Sequence, residues 1–339
     1  MVVIDSYPLA VLMCVITMLC WGSWANMQKL ASKEWRFQLF YWDYAIGVLL
    51  LTVVLALTMG SMGTGGRSFA ADLCQASAQA IGLALLGGVV FNLANLLLVA
   101  AIDIAGMSVA FPVGIGIALV EGVIVNYIRD PKGNPVLLFA GVAAVAVAIV
   151  INAVAYGKLP QQGQKTRTTG IVLSIVCGVL MGLFFYLVAA AIAPIAGLAE
   201  AGQAGKLTPY TALVFFSLGL FGSCFVFNTF LMARPFVGDP VPLGDYFRKG
   251  NPRLHLIGVV GGAIWSIGMS FSILAGDAAG YAISYGLGQG ATMVAALWGV
   301  FIWKEFRTAP KGTGLLLALM FVCFVGGLSA IVYANAGAE

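Results

Sequence analysis

The stretch VAAIDIAGMSVAFPVGIG, residues 99–116, recurs in altered form as ILAGDAAGYAISYGLGQG, residues 273–290. Asp103 aligns with Asp277, which sets an offset of 174 residues (277 − 103). Further identities at this offset include Ala105 with Ala279, Gly106 with Gly280, Gly114 with Gly288, Gly116 with Gly290, and Gly87–Gly88 with Gly261–Gly262. Chance similarity between glycine-rich helices is the alternative, but a pair of aspartates in a chain so poor in acids favours an internal repeat.

The composition indicates a membrane protein. Of 339 residues, 61% are hydrophobic and 9% are charged, and the mean hydropathy is +1.00. A soluble domain carries roughly 25% charged residues, so this chain lacks the charge to cover a water-facing surface. Apolar runs of about 20 residues recur, and each is long enough to cross a lipid bilayer as a helix. The net charge of +4 comes from lysines and arginines in the loops, where such residues indicate how the chain is oriented in the membrane. We therefore expect membrane lipid as a partner and no nucleic acid.

Ten transmembrane helices are predicted, numbered 1–10 in chain order. Their bounds are roughly 7–29, 37–60, 75–101, 104–128, 135–156, 169–199, 209–233, 253–276, 279–303 and 312–336. The repeat aligns helices 3 and 4 with helices 8 and 9, which divides the chain into two five-helix halves, residues 1–160 and 161–339. Because five is odd, the second half enters the membrane in the opposite orientation. The predicted fold is therefore all-α and polytopic, with two inverted five-helix repeats, a construction that many secondary transporters use.

Signatures of enzymes, nucleotide-driven pumps and metal sites are missing from the sequence. It contains no G-x-x-x-x-G-K-[ST], H-E-x-x-H or G-x-S-x-G motif. The six cysteines lie in or beside apolar runs without metal-ligand spacing. We therefore expect neither an enzyme nor a bound metal, and we assign no cofactor.

Several short motifs resemble known transporter families. CWGSWANMQKL (20–30) resembles the first helix of the glucose/ribose porters. Similarity to the plant ureide permeases is carried by YWDY (41–44), GGVVFNLANLL (87–97), AGMSVAF (105–111), VNYIRD (125–130) and DAAGYA (277–282). Both families belong to the drug/metabolite transporter superfamily, and this resemblance implies ten helices in two inverted repeats.

Uncharged polar and aromatic residues fall on common faces of several predicted helices. Lipid penalises such residues, so these faces are expected to point toward other helices or a wet cavity. Amides, hydroxyls and rings suit a small neutral polar solute such as a sugar, ureide, nucleobase or nucleoside. Hydrogen bonding that only holds helices together is the alternative for each residue. The candidate substrate-binding residues are Trp21, Trp24 and Gln28 of helix 1, Asn92 and Asn95 of helix 3, Trp265 of helix 8, and Tyr281, Tyr285 and Gln289 of helix 9.

Two carboxylates are candidates for proton coupling. Glu121 lies eight residues before Arg129, hence about 12 Å deeper along a helix, where burial favours its neutral, protonated form. The repeat places it on the stripe of helix 4 that corresponds to the tyrosine stripe of helix 9. Asp43 is the second candidate, with an interfacial ion pair to Arg36 as the alternative. Asp103 and Asp277 each precede a helix and are interpreted as helix N-caps.

The sequence thus predicts a proton-coupled secondary transporter that takes up a small neutral polar metabolite by alternating access. A passive facilitator of the same solutes, or a membrane scaffold or sensor, remains the alternative. We expect an integral protein of a bacterial-type inner membrane, as a monomer or homodimer. Basic residues concentrate in the loops opposite the termini, which favours termini outside by the positive-inside rule, whereas the superfamily resemblance implies cytoplasmic termini.

Overall fold

The computed structural model describes residues 1–159, 168–194 and 203–336, and this part of the chain is almost entirely helical. Ten of its helices are long and apolar enough to cross a membrane, which confirms the predicted helix count and class. The division at residues 160/161 and the end of predicted helix 6 lie outside the described residues. The spans are α1 (Tyr7–Ala31), α2 (Phe37–Leu57), α3 (Ala78–Ala105), α4 (Met107–Arg129), α5 (Pro135–Gly157), α6 (Thr168–Ala191), α7 (Pro209–Ala233), α8 (Pro252–Ala279), α9 (Tyr281–Ile302) and α10 (Thr313–Tyr333).

Two of these spans are interrupted. The regular turns of α1 break at Trp24, between Tyr7–Ser23 and Ala25–Ala31. The α9 span consists of Tyr281–Gly288, Ala291–Leu297 and a π-helical turn at Trp298–Ile302. Discontinuous helices and π-turns are frequent at functional sites of membrane transporters.

The repeated sequence phrase forms the same turn in both places. Gly106 joins α3 to α4 with φ +81°, and Gly280 joins α8 to α9 with φ +89°. Glycine adopts such positive φ angles readily, whereas the side chain of another residue would clash with the backbone there. The N-cap interpretation of Asp103 and Asp277 is wrong: both lie in the last turns of α3 and α8, and the caps of α4 and α9 are the two glycines, without side-chain cap bonds.

The main helix contacts keep the same pattern when the two halves of the chain are exchanged. Helix α3 packs against α6 and α7, and its predicted equivalent α8 packs against α1 and α2. Helix α4 packs against α6, and its predicted equivalent α9 packs against α1. Three further contacts, α2–α7, α4–α9 and α5–α10, are each between a helix of the first half and its predicted equivalent in the second.

Close glycine contacts repeat that pattern in detail. A Cβ atom placed on Gly262 of α8 would lie 1.9 Å from the Tyr44 carbonyl oxygen of α2. A Cβ on Gly88 of α3 would lie 1.9 Å from the Phe216 carbonyl oxygen of α7. In both pairs the backbones touch, as small residues permit between membrane helices.

Because each span crosses the bilayer, successive loops lie on opposite faces. We call the face that carries both termini and loops 58–77, 130–134 and 203–208 the termini face. The opposite face carries loops 32–36, 234–251 and 303–312 and most of the loop lysines and arginines, and we call it the basic face.

Candidate functional site

Rings from five helices meet where the two halves of the chain pack together. We call Trp21, Trp24, Tyr44, Phe91, Phe216 and Trp265 the aromatic cluster. Trp265 is its centre: its ring centroid lies 4.4 Å from that of Phe91, 6.0 Å from those of Trp21 and Phe216, and 6.2 Å from that of Tyr44. Trp24 completes the cluster with its ring 5.0 Å from Tyr44. The structure thus brings together three of the predicted binding residues, Trp21, Trp24 and Trp265.

The backbone of α8 makes room for the large rings of α1. The indole nitrogen of Trp21 donates to the Trp265 carbonyl oxygen over 3.2 Å. A Cβ on Gly268 would lie 2.6 Å from Trp21 Cδ1. Only glycine at position 268 leaves space for the Trp21 indole. That space allows the Trp21 ring to stack on the Trp265 ring.

Hydrogen-bonding side chains of α2 and α3 lie beside the aromatic cluster. Asn95 Nδ2 donates to the Tyr41 hydroxyl over 3.2 Å, and the Tyr41 ring stacks on Tyr44 at 5.2 Å. Asn92 Nδ2 donates to Ser223 Oγ over 2.7 Å and to the Leu220 carbonyl oxygen over 3.2 Å, both on α7. Its nitrogen is therefore committed to helix packing, whereas Asn95 lies next to the rings.

Tyr281 and Tyr285 of α9 form a second group, between α4 and α6. The Tyr285 hydroxyl donates to the Met181 carbonyl oxygen over 3.0 Å, and its ring packs on Phe185 at 5.1 Å. Tyr281 lies 6.3 Å from the same phenylalanine ring and under the Arg129 guanidinium at 5.1 Å. These bonds and ring contacts tie α9 to α4 and α6, away from Trp265.

Glu121 belongs to this second group. Its side chain packs on Gly182 of α6, where an added Cβ would lie 3.1 Å from Glu121 Cβ, and its charge faces Tyr285. Among the described residues it has no hydrogen-bond or ion-pair partner. An ionisable residue in a membrane-spanning helix is costly and rare, which makes Glu121 a candidate functional residue.

The remaining two predicted binding residues flank the aromatic cluster. Gln289 is buried at the break in α9, and a Cβ on the adjacent Gly288 would lie 2.8 Å from Trp21. Gln28 is half-buried, one turn beyond Trp24.

Asp43 lies in a buried network that the sequence did not reveal. Only 1% of its surface is exposed. His255 Nδ1 lies 2.9 and 3.1 Å from the two carboxylate oxygens, the Tyr246 hydroxyl donates to Oδ1 over 2.5 Å, and Trp35 Nε1 donates to Oδ2 over 3.3 Å. Arg36, the partner considered for it, donates instead to the Asp239 carbonyl oxygen.

Tyr246 keeps its proton in this network. Burial raises the pKa of its hydroxyl, and the hydrogen bond and charge of Asp43 raise that pKa further. The hydroxyl is therefore a permanent donor to the carboxylate at physiological pH.

A cavity of about 190 Å³ opens between α2, α3 and α7 at the basic face, and we call it the vestibule. Its lining includes Arg36, Phe37, Gln38, Leu96, Asp103 and Leu231. Phe37 also packs on Tyr41 at 5.2 Å. The Phe37 ring therefore separates the vestibule from Tyr41, one of the polar side chains beside the aromatic cluster.

The termini face is held together by a buried acid. Asp72, fully buried, accepts from Arg67 Nε over 2.9 Å, from Gln75 Nε2 over 2.9 Å and from the Thr208 backbone nitrogen over 2.7 Å. Gln75 also bonds the Lys206 carbonyl oxygen and the Gly205 nitrogen. These bonds join the loop between α2 and α3 to the segment that enters α7.

Over residues 1–159, 168–194 and 203–336, no three His, Cys, Asp or Glu side chains are grouped so as to hold a metal ion.

Comparison with known proteins identifies relatives along the whole chain. The ureide permease family model matches residues 40–166 and 161–334. Ureide permease 1 and ureide permease 4 of Arabidopsis thaliana are 25% and 26% identical to this chain, each over 99% of both sequences. Probable ureide permease A3 of Vigna unguiculata is 31% identical over 38% of this chain and 36% of its own. A solved crystal structure, 16% identical, superposes with a TM-score of 0.56 over 95% of both chains, which shows a shared fold.

Proposed function

Because the chain belongs to the ureide permease family, we propose that it is a secondary transporter that moves a small, uncharged ureide or a related ring compound across the membrane. Family membership and ten apolar helices make it an integral membrane transporter rather than an enzyme. The observation that carries the proposed substrate class is the site around Trp265, where flat rings adjoin neutral amide and hydroxyl groups. Uracil and some other nucleobases share the N–CO–N group of ureides, and sugars remain in the panel to be tested.

The chemistry of this site fits a neutral planar solute. Aromatic faces accept a flat ring by stacking, while Asn95 and Tyr41 offer hydrogen bonds at its edge. Among the described residues, no cluster of arginines adjoins these rings and amides, so the site lacks the groups that would hold an acidic or phosphorylated solute. Trp21, Trp24, Asn95 and Trp265 are therefore the proposed contacts, with Asn92, Gln28 and Gln289 at the border.

Alternating access between inverted repeats is the proposed mechanism. The exchangeable contact pattern and the matching close contacts at Gly88 and Gly262 support a twofold relation between the halves. The site lies between those halves, with the vestibule on the side of the basic face and the Asp72 network on the termini face. Movement of one half against the other would exchange these conditions.

Proton coupling is proposed at Glu121, with Asp43 as the second candidate. Glu121 packs beside Gly182 and Tyr285 between α4, α6 and α9, without a bonding partner among the described residues. Asp43 is the second candidate because it is a buried acid in contact with three polar side chains, those of Trp35, Tyr246 and His255. We place the protein in a bacterial-type inner membrane.

Purified protein in proteoliposomes tests the proposal. Entry of labelled allantoin (a hydantoin ring carrying a urea side chain), uracil and glucose is compared with entry into protein-free liposomes. We expect allantoin or uracil to enter and to accumulate when the proton gradient is imposed. If no solute of the panel crosses faster than in protein-free liposomes, the chain is a scaffold or sensor. Entry that stops at equal concentrations, with or without the gradient, would identify a facilitator.

A further inference from the structure

The Tyr44 hydroxyl is a buried polar group without a partner. Tyr44 is fully buried in the aromatic cluster, between Trp24 and Trp265. Its hydroxyl forms no hydrogen bond with any described residue. Buried hydroxyls are nearly always hydrogen-bonded, and an exception calls for an explanation such as a ligand.

The surroundings of this hydroxyl are polar. It lies near the Tyr41 hydroxyl and the Cys224 thiol, and Tyr41 is in turn bonded to Asn95. The carbonyl oxygen of Asn95 makes no hydrogen bond to a described residue either. One unused donor therefore lies on α2, on a ring 6.2 Å from that of Trp265, and one unused acceptor lies on α3, on the side chain that bonds Tyr41.

We infer that the Tyr44 hydroxyl is a specificity-determining contact that donates a hydrogen bond to the carbonyl of an N–CO–N group, while Asn95 accepts from the adjoining N–H. This inference rests on the proposed transport of ureides and names the residue that recognises them. An N–CO–N edge presents a carbonyl acceptor next to an N–H donor, which complements a hydroxyl donor next to an amide acceptor. The flat ring of the solute then lies against Trp265.

The vestibule supplies the route to this pair of groups. Phe37 lines the vestibule and packs on Tyr41, and Leu96 lines it directly after Asn95 in the chain. A solute that enters from the basic face thus meets the Tyr41, Tyr44 and Asn95 side chains before the deeper rings.

Two matched variants on α2 test the inference in proteoliposomes with labelled allantoin. Tyr44→Phe keeps the ring and removes only the unpaired hydroxyl. Tyr41→Phe removes a hydroxyl that is already bonded to Asn95. We expect Tyr44→Phe to raise the KM for allantoin about tenfold, as loss of one neutral hydrogen bond does. Its thermal midpoint without solute should equal or exceed that of the wild type, since the variant has no unpaired group, whereas Tyr41→Phe should lower the midpoint.

A competition experiment examines the same bond without depending on a variant. Hydantoin and 2-thiohydantoin differ only in having oxygen or the weaker acceptor sulfur at the carbonyl between the two nitrogens. The wild type should be inhibited more strongly by hydantoin, and Tyr44→Phe should lose that preference.

Three results would overturn the inference. An unchanged KM in well-folded Tyr44→Phe would show that the hydroxyl does not contact the solute. A lower thermal midpoint of solute-free Tyr44→Phe would show that the hydroxyl has a structural partner. Equal inhibition of the wild type by both competitors would exclude a donor to that carbonyl. Absence of uptake by the wild type for the whole solute panel would instead remove the proposed function, and the inference with it.

Discussion

Gly262→Ala is predicted to force α2 and α8 apart and to disturb the site between them. The added Cβ would lie 1.9 Å from the Tyr44 carbonyl oxygen, whereas a relaxed carbon–oxygen contact is about 3.3–3.6 Å. The helices must therefore separate by about 1.5 Å. Overpacking of this kind typically costs about 1–3 kcal/mol. The atom that the new Cβ meets belongs to the α2 backbone, so no flexible side chain can move aside to relieve the contact. We expect the upper end, near 3 kcal/mol, which is roughly a hundredfold in the folding equilibrium.

The controls for this prediction lie in the same chain. Gly88→Ala places its Cβ at the same 1.9 Å from the Phe216 carbonyl oxygen and should cost as much. Gly82→Ala and Gly116→Ala meet nothing within 4 Å, and alanine is the better helix former by about 1 kcal/mol. These two variants should be neutral or stabilising.

Thermal unfolding in detergent, followed by tryptophan fluorescence, ranks the four variants, and allantoin uptake reports the site. Gly262→Ala should unfold at a lower temperature than Gly82→Ala and Gly116→Ala. It should also take up less allantoin, because the shift of α2 displaces Tyr44 from Trp265. A Gly262→Ala protein as stable as Gly82→Ala would refute the close packing of α2 on α8. A difference between Gly262→Ala and Gly88→Ala would refute equivalent packing in the two halves.

Three further changes probe the coupling acid, the buried network and the polar edge of the site. Glu121→Gln fixes the neutral state and should retain allantoin exchange while losing accumulation driven by a proton gradient; accumulation at the wild-type level would make Asp43 the residue to test. Tyr246→Phe removes a donor to the buried Asp43 carboxylate and should lower stability by about 1.5–3 kcal/mol. Because the pKa of Tyr246 is raised, its hydroxyl stays protonated and that loss should be constant between about pH 8 and 9; the exposed Tyr333→Phe is its control, and equal thermal midpoints would contradict the network. Asn95→Met should leave Tyr41 unpaired and weaken competition by uracil more than competition by glucose; a uniform loss would indicate helix packing instead.

The sequence was sufficient for the helix count, because apolar length alone identifies a membrane span. It did not predict the turns at the repeated phrase: Gly106 and Gly280 carry the positive φ there, whereas the nearby Asp103 and Asp277 were interpreted as N-caps. The bonds of Asp43 were out of reach, because His255 and Tyr246 lie more than 200 residues away, and no local spacing encodes such a contact.

Tyr44 was missed for a different reason. The motif FYWDY has the composition of an interfacial aromatic belt, and α2 is apolar on every side, so its helical period does not identify an inward face. The structure buries α2 against both α7 and α8, which places Tyr41 and Tyr44 at the centre. The fate of Asn92 shows the opposite limit: it lies on the predicted inward stripe, yet its nitrogen bonds to α7.

The predicted repeat also explains why the site has one polar edge and one flat face. At the offset of 174, Asn92 and Asn95 of α3 correspond to Ser266 and Met269 of α8, and Phe91 corresponds to Trp265. Across the matching contacts Gly262–Tyr44 and Gly88–Phe216, Tyr44 corresponds to Phe216. At these positions the first half supplies two amides and the Tyr44 hydroxyl, where the second half supplies the Ser266 hydroxyl, the Met269 thioether and the Phe216 ring. Two equal halves would offer a solute the same groups from both sides, which suits a symmetric ligand. Since an N–CO–N ring compound has a hydrogen-bonding edge and apolar faces, the divergence between the predicted repeats would suit the proposed substrate better than two equal halves would.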